Sequence, residues 1–154
     1  MVGILSETQF ENHLRNDILP FAIPEDNNHK LFNFKKAVDI LIARNGVNPK
    51  LFFIEVKYHK PNHGRLGFGH GKGGGFQPEV LITATDYFEE NMRWVLGEES
   101  SEKYWFVDSN MIRQYLNGDV VGEKYNGIKI KLFKEVQSLT KEELIIKINN
   151  WLLL

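Results

Sequence analysis

The chain has 154 residues, of which 42% are hydrophobic and 25% are charged, a composition typical of one globular domain with a hydrophobic core. A net charge of −1 and the absence of cysteine exclude a global positive field, disulfide bonds and thiolate metal sites. The N-terminus lacks signal-peptide features, and no apolar run reaches the length of a membrane span. We therefore expect a single cytoplasmic domain over residues 1–154, without a membrane partner.

The first predicted element is a helix. Ser6 is a good N-cap, and a glutamine follows three residues later, as in a capping box. The helix is expected to end near Leu19, because a proline comes next. Glu7 and Glu11 lie beside an apolar stripe at helical spacing. The stripe consists of Phe10, Leu14 and Ile18.

An antiparallel hairpin is predicted next, after a short strand at residues 31–34. Apolar segments of strand length at residues 36–43 and 51–57 flank a polar turn with Asn-Gly and Asn-Pro dipeptides. With Val47 at the midpoint of this turn, Leu41 faces Phe53. The two segments are apolar enough to be central strands of a sheet.

Charged residues collect at one end of this hairpin. In the same register, Asp39 faces Glu55, and the alternation of side chains along a strand places Lys57 on the face of Glu55. The opposite face is predicted to be apolar. It would carry Val38, Ile40, Ile42, Phe52, Ile54 and Val56.

The segment after the hairpin is rich in glycine. From Lys57 to Gly75 it contains lysine, arginine and histidine but no acidic residue, which predicts a mobile basic loop. The histidines of this loop are interpreted as solvated residues or phosphate contacts, because zinc ligands require a fixed scaffold. They are His59, His63 and His70.

Helices are predicted after the loop. Pro78 suits the first position of a helix. Asp86 is expected to cap a second helix over residues 87–96, ended by Gly97. Packing roles are expected for the three tryptophans, Trp94, Trp105 and Trp151.

The last third of the chain alternates between strands and helices. A strand is predicted at residues 104–107, a short helix from Asp108 or the next residue to Leu116, and an edge strand at residues 128–132. A capping box at Thr140 opens the final helix. Its inner side would carry Leu144, Ile145, Ile148, Trp151 and Leu152. This order predicts a central mixed β-sheet flanked by helices, of class α/β or α+β.

The facing carboxylates of the hairpin predict a metal site. Asp39 and Glu55 repel each other unless a positive charge lies between them, and Mg²⁺ favours one or two carboxylates together with water and substrate phosphate. The carbonyl of Val56 is a further candidate ligand. Lys57 would orient the attacking water, help to deprotonate it, or neutralise charge on a phosphoryl group. A plain salt bridge among the three side chains is the alternative.

Val38-Asp39 … Glu55-Val56-Lys57, preceded by a helix with Glu7 and Glu11, resembles the motif of the PD-(D/E)xK nuclease superfamily. The resemblance covers roughly residues 5–110, with Val38 in place of the family's proline. It implies a restriction-endonuclease-like core, with Asp39 and Glu55 as metal ligands and Lys57 as the catalytic lysine. Glu11, or less favourably Glu7, would support the metal site.

The following loop is similar to that of small type II restriction endonucleases, which implies a catalytic role for Gln77. Candidate DNA contacts are Lys60, Arg65 and Lys72. The resemblance implies Mg²⁺-dependent cleavage of double-stranded DNA, with Mn²⁺ as a substitute, by a homodimer; the short chain also leaves room for a partner subunit. Two alternatives stay open, namely a repair or recombination nuclease such as a junction resolvase, and a non-catalytic DNA-binding module with a relic of the site.

Overall fold

The structure is a computed structural model, and it describes residues 3–33, 38–61, 66–67, 80–81, 85–117 and 127–154. The helices are α1 (Glu7–His13), α2 (Leu19–Ala22), α3 (Asp86–Asn91), α4 (Ser109–Gln114), α5 (Leu132–Glu135) and α6 (Lys141–Leu152), and a π-helical segment (Leu14–Ile18) joins α1 to α2. The strands are β1 (His29–Leu31), β2 (Ile40–Arg44), β3 (Lys50–His59), β4 (Leu66–Gly67), β5 (Met92–Glu98), β6 (Tyr104–Val107), β7 (Leu116–Asn117) and β8 (Gly127–Ile128).

The main sheet has five strands in the order β1-β2-β3-β5-β6. The β3–β5 pair is parallel and the other pairs are antiparallel. Strands β4, β8 and β7 form a second, small sheet. The chain is therefore an α/β protein with a mixed sheet packed against helices, as predicted. In the described part of the chain, none of the helices combines the length and the apolar character that crossing a bilayer requires.

The register of the β2–β3 hairpin is the predicted one. Ile40 pairs with Ile54, and Leu41 pairs with Phe53. The strand expected at residues 31–34 lies earlier, because β1 pairs with β2 from His29 onward. The register that the polar turn predicts for β2 and β3 is therefore confirmed.

Each face of the main sheet packs against its own hydrophobic core. The first core joins α1, α2 and α6 to one face of β2 and β3, and includes the predicted helical stripe. The second core covers the other face and includes Phe53, Trp94 and Trp105. Val38 belongs to the second core, contrary to the prediction, because it precedes β2 and the strand alternation does not extend to it.

The N-terminal helix differs from the prediction at both ends. Ser6 Oγ accepts the Gln9 N–H at 3.1 Å, but the Gln9 side chain accepts from the Leu5 N–H at 2.7 Å instead of completing a capping box with Ser6. Helical structure continues past Pro20 to Ala22. The π-helical turn bonds the Leu19 N–H to the Leu14 carbonyl, so the proline falls in the first turn of α2, where a missing N–H costs little.

The helix predicted at residues 87–96 is wrong in its second half. Helix α3 ends at Asn91, its N-cap is Thr85 rather than Asp86, and the chain continues directly into β5. This strand lies between β3 and β6 and is buried on both faces, so its sequence shows no alternation. Gly97 lies within β5, where a Cβ would stand 2.6 Å from the Phe10 ring; the missing side chain lets α1 pack closely on the sheet.

In the C-terminal third, the strand at residues 104–107 and the final helix are confirmed. The short helix expected to reach Leu116 ends at Gln114, because Leu116 pairs in β7, and α5 was not predicted. Asp108 caps α4, and the capping box of Thr140 opens α6. The strand expected at residues 128–132 ends at Ile128, because the Lys129 carbonyl accepts the Leu132 N–H in a turn that leads into α5. The predicted helix start at Pro78 lies outside the described residues. All three tryptophans are buried in the two cores.

Candidate active site

The structure brings Asp39, Glu55 and Lys57 together at the end of the hairpin. Glu55 and Lys57 lie two residues apart on β3, and Asp39 directly precedes β2, one pair beyond Ile40 and Ile54. The three side chains are only 7%, 3% and 5% exposed, respectively. Burial of three ionisable groups is costly unless they compensate each other or hold a ligand.

The Asp39 side chain is held beside β3 by a hydrogen bond from the main chain of that strand. Its Oδ2 accepts the Val56 N–H at 2.8 Å. Because Asp39 lies just outside β2, its side chain takes the place of a strand carbonyl as the acceptor of this N–H. The N–H and C=O of a strand residue point towards the same neighbouring strand. The Val56 carbonyl is therefore directed to the side of Asp39, as a third oxygen ligand would need to be.

Glu55 is the most strongly perturbed acid of the site. Burial raises its pKa well above the usual value of 4.5, and the charge of Asp39 and a hydrogen bond with Asp39 raise it further. The positive charge of Lys57 lowers the pKa of Glu55, whereas Glu7 raises it. Asp39 and Glu55 therefore lie within hydrogen-bond contact, and a proton or a cation stabilises the pair.

The two acids of the first helix differ in their surroundings. The Glu11 carboxylate accepts the Arg15 Nε–H at 3.1 Å, which ties it to a neighbour in its own helix. The charge of Glu7 acts on Glu55, although Glu7 itself is exposed. The charge of Glu7 thus acts on the carboxylate pair, whereas Glu11 is the buried one of the two acids. The preference for Glu11 over Glu7 in the metal site stays a prediction.

Arg15 links the first helix to the peptide of Asp39. Its Nη2 donates to the Asp39 carbonyl and its Nη1 donates to the Phe32 carbonyl, each at 2.7 Å. The guanidinium thus bridges two main-chain carbonyls at the point where the pairing of β1 with β2 ends. The Glu11 carboxylate accepts from the Arg15 Nε–H and so holds the guanidinium in this orientation. Glu11 and Arg15 therefore position Asp39.

The remaining site residues are only partly described. Lys60 follows β3 directly and is partly buried. Gln77, Arg65 and Lys72 lie outside the described residues, and so do His63 and His70. His59 was expected in a mobile loop, but it is the last residue of β3 and is buried, because the parallel pairing of β3 with β5 continues to its end.

The oxygen set fits Mg²⁺ better than a metal that needs many protein ligands. Over the described ranges, no group of three or more His, Cys, Asp or Glu side chains is placed to hold a metal ion. Two carboxylates with one main-chain carbonyl leave the other positions of an octahedron to water and substrate phosphate, the usual arrangement for Mg²⁺. Asp39, Glu55 and Val56 would hold the ion.

Sequence reasoning missed Arg15 and Glu98 as functional candidates. Arg15 lies four residues after Glu11, a spacing that is typical of an ordinary surface ion pair on a helix. Its burial beside the strand end has no signature in the sequence. Glu98 contacts His59 across the parallel β3–β5 pair, which could be anticipated only if β5 were recognised as a strand.

Comparison of the chain with protein-family models, with curated proteins and with solved structures finds no match.

Proposed function

We propose that the chain is a Mg²⁺-dependent endonuclease that hydrolyses phosphodiester bonds of double-stranded DNA, of the type II restriction class or its catalytic subunit. The observation that carries the proposal is the buried pair of carboxylates, Asp39 and Glu55, with Lys57 on the same face of β3. Together with the Val56 carbonyl, this set offers an oxygen-rich cation site beside one buried ammonium group.

The order of elements supports the same proposal. The N-terminal helical region, from α1 to α2, is followed in the main sheet by β1, β2 and β3. After β4 of the small sheet come α3 and then β5, which pairs in parallel with β3. This is the order of helix, three strands, helix and strand that a restriction-endonuclease-like core requires. The candidate ligands lie directly before β2 and within β3, the positions that the resemblance to PD-(D/E)xK nucleases implies.

Each side chain has a separate task in this proposal. Asp39 and Glu55 bind the ion, and the Val56 N–H and the Arg15 clamp hold Asp39 in place. A bound Mg²⁺ supplies Lewis-acid stabilisation of the phosphodiester and activates water for in-line attack. Lys57 orients that water and neutralises negative charge that develops on the phosphoryl oxygens. Mn²⁺ is expected to replace Mg²⁺, because it also prefers oxygen ligands.

A homodimer, or a complex with a partner subunit, is part of the proposal, because it places one site on each DNA strand. The test is incubation of the purified protein with plasmid and Mg²⁺, followed by electrophoresis. We expect the wild type to convert the plasmid to nicked or linear forms. The plasmid should stay intact with a chelator or with Lys57→Ala. Intact plasmid after incubation of the folded wild type with Mg²⁺ and with Mn²⁺ would contradict the proposal.

Fragment ends distinguish restriction from repair. Ends at one fixed sequence support a restriction enzyme, whereas cleavage confined to branched or mismatched DNA supports a repair or recombination nuclease such as a junction resolvase. The sequence of the ends therefore has to be determined for linear plasmid and for a synthetic four-way junction.

One structural observation favours a different candidate, a non-catalytic DNA-binding module. The hydrogen bond between Glu55 and Asp39 allows a shared proton, rather than a metal ion, to hold the pair. This candidate predicts DNA binding without Mg²⁺ or Mn²⁺ binding, and calorimetry separates it from the nuclease.

A further inference from the structure

The face of β3 that carries Glu55 and Lys57 continues to His59. The three residues alternate along the strand, and His59 pairs with Glu98 on β5 at the end of the parallel ladder. A strand rises by about 3.3 Å per residue, so His59 lies on the order of 13 Å from Glu55 along this row. The polar row of β3 thus extends beyond the candidate metal site.

The His59 ring makes two contacts that orient it. Its Nδ1 lies 3.0 Å from Glu98 Oε2, and the ring stacks on Phe133 with a centroid distance of 4.9 Å. The only hydrogen bond of the ring to any described residue is this one, through Nδ1. Nδ1 is the nitrogen that donates to Glu98, so Nε2 is left to face a ligand, and it donates a hydrogen bond to an anion when the ring is in the imidazolium form.

His59 lines a cavity of about 710 Å³ between the end of β3 and α5. Its polar wall includes the exposed ammonium groups of Lys103 and Lys134, and the side chains of Gln137 and Ser138. Among the described residues of the wall, Glu98 carries the only carboxylate, and His59 contacts it. A set of ammonium, imidazolium, amide and hydroxyl donors fits an oxyanion and repels a cation.

We propose that this cavity binds a backbone phosphate of the DNA substrate, at a distance from the scissile bond. The proposal rests on the proposed nuclease function, because the polar row of β3 connects the cavity to the carboxylate pair. Each strand of B-DNA rises 3.4 Å per nucleotide, so on the order of 13 Å along the row corresponds to a few nucleotides. His59, Lys103 and Lys134 thereby set the position of the duplex relative to Asp39 and Glu55.

The phosphate subsite predicts a specific loss of affinity. We compare the wild type with Lys103→Gln/Lys134→Gln, and use Lys30→Gln/Lys50→Gln as the matched control. The control removes the same charge at the turn end of the hairpin, away from the cavity. All four lysines are at least partly exposed, so folding should be kept, and thermal denaturation verifies it.

Binding of a labelled DNA duplex is measured by fluorescence anisotropy in chelator at several salt concentrations. The cavity variant should bind roughly three- to tenfold more weakly than the control, with a salt slope smaller by about one, as expected for one lost phosphate contact. His59→Gln should weaken binding in the same direction. In the wild type, the His59 ring resonances should shift when the duplex is added.

Plasmid cleavage, measured in parallel, separates the two proposals. If the wild type cleaves DNA but the cavity variant binds with the affinity and salt slope of the control, the phosphate subsite is refuted and the nuclease stands. If the wild type neither binds nor cleaves DNA, both proposals fail. In that case, a shift of the His59 resonances with inorganic phosphate alone would show a pocket for free phosphate and would refute DNA as its source.

Discussion

The two faces of β3 are equally buried but differ in chemistry. One face presents Phe52, Ile54, Val56 and Tyr58 to the first hydrophobic core. The other presents Phe53 to the second core and then Glu55, Lys57 and His59 in succession, all of them buried. Apolar burial stabilises the first face, whereas buried ionisable groups cost free energy unless they are compensated. The comparison indicates that one face of the strand stabilises the fold, whereas the other carries the residues of the proposed nuclease site.

The largest expected effect on stability comes from the apolar face. Ile54→Ala leaves a cavity beside α1 and should lower the free energy of unfolding by about 2–5 kcal/mol. Cleavage per folded molecule should stay near the wild-type level, because Ile54 points away from the carboxylates. Denaturant titration and plasmid cleavage measure the two quantities, and a loss of activity without a loss of stability would contradict the division between the faces.

For Lys57 we expect the opposite result, a large effect on cleavage and a smaller effect on stability. Lys57→Met should reduce the rate of DNA cleavage by about 10²–10³-fold, since it removes one charge that stabilises the transition state. Its effect on unfolding should be smaller than that of Ile54→Ala, because methionine keeps most of the buried stem. Single-turnover cleavage rates, taken beside a denaturant titration, provide the test; an unaltered rate would remove Lys57 from the site.

Arg15 tests how the fold supports the polar face. Arg15→Lys loses the bridge between the Asp39 and Phe32 carbonyls, and should weaken metal binding about 10–100-fold while costing about 1–3 kcal/mol of stability. Metal affinity is measured by calorimetry and stability by denaturant titration.

Arg113 offers a matched control for Arg15. It also donates to two main-chain carbonyls, those of Val80 and Leu81, and pairs with Glu89, but none of these partners is Asp39 or Glu55. Arg113→Lys should lower stability by a similar amount and leave metal affinity unchanged. Equal loss of metal affinity in both variants would mean that Arg15 acts on stability alone.

The raised pKa of Glu55 predicts an unusual pH dependence. The folded state binds the Glu55 proton more tightly than the unfolded state, so the resulting stabilisation is full below about pH 4.5, the usual value, and is lost as the pH rises through the raised pKa. Without metal, Glu55→Gln should therefore be more stable than the wild type at pH 8, by roughly 1–3 kcal/mol, and nearly equal at pH 4.

Thermal denaturation at pH 4 and at pH 8 measures this effect. Mn²⁺ should raise the stability of the wild type at pH 8, because it binds the folded state only, and should not raise that of Glu55→Gln. A variant that is less stable than the wild type at pH 8 without metal would show that Glu55 is compensated as an anion within the protein.

The smallest effect is expected on the apolar face. The Tyr58 hydroxyl donates to the Ile4 carbonyl at 2.7 Å, and Tyr58→Phe removes this single neutral hydrogen bond. The free energy of unfolding should fall by about 0.5–1.5 kcal/mol, with metal affinity unchanged. Denaturant titration and calorimetry check the two statements, and a change in metal affinity would connect the two faces.

The hairpin could be predicted because its determinants are local. A polar turn with Val47 at its midpoint fixes the register, and strand alternation then places Glu55 and Lys57 on one face. The strand β5 could not be recognised so easily, because a parallel strand buried on both faces has no alternation and resembles the end of a helix. The short helix α5 was missed for a related reason, since Ile128 and Leu132 fit both a strand and a helical spacing.

The supporting residues depend on tertiary contacts that the sequence does not encode locally. The spacing of Glu11 and Arg15 predicts an ion pair on a helix, but the bonds of Arg15 to Asp39 and Phe32 follow only from how α1 packs on the sheet. His59 and Glu98 meet only because β3 and β5 pair in parallel. The residues of the candidate site were thus predictable from local pattern, whereas those that position it were not.

Divalent metal binding tests the central claim most directly. Isothermal titration calorimetry of Mn²⁺ and Mg²⁺ into the wild type should show binding that Asp39→Asn abolishes. Lys30→Gln, on β1 near the turn end of the hairpin, should leave this binding unchanged. Affinity should rise with pH as Glu55 loses its proton, because metal and proton compete for the same carboxylate. The absence of binding to the folded wild type at pH 8, or binding that survives Asp39→Asn, would contradict the account.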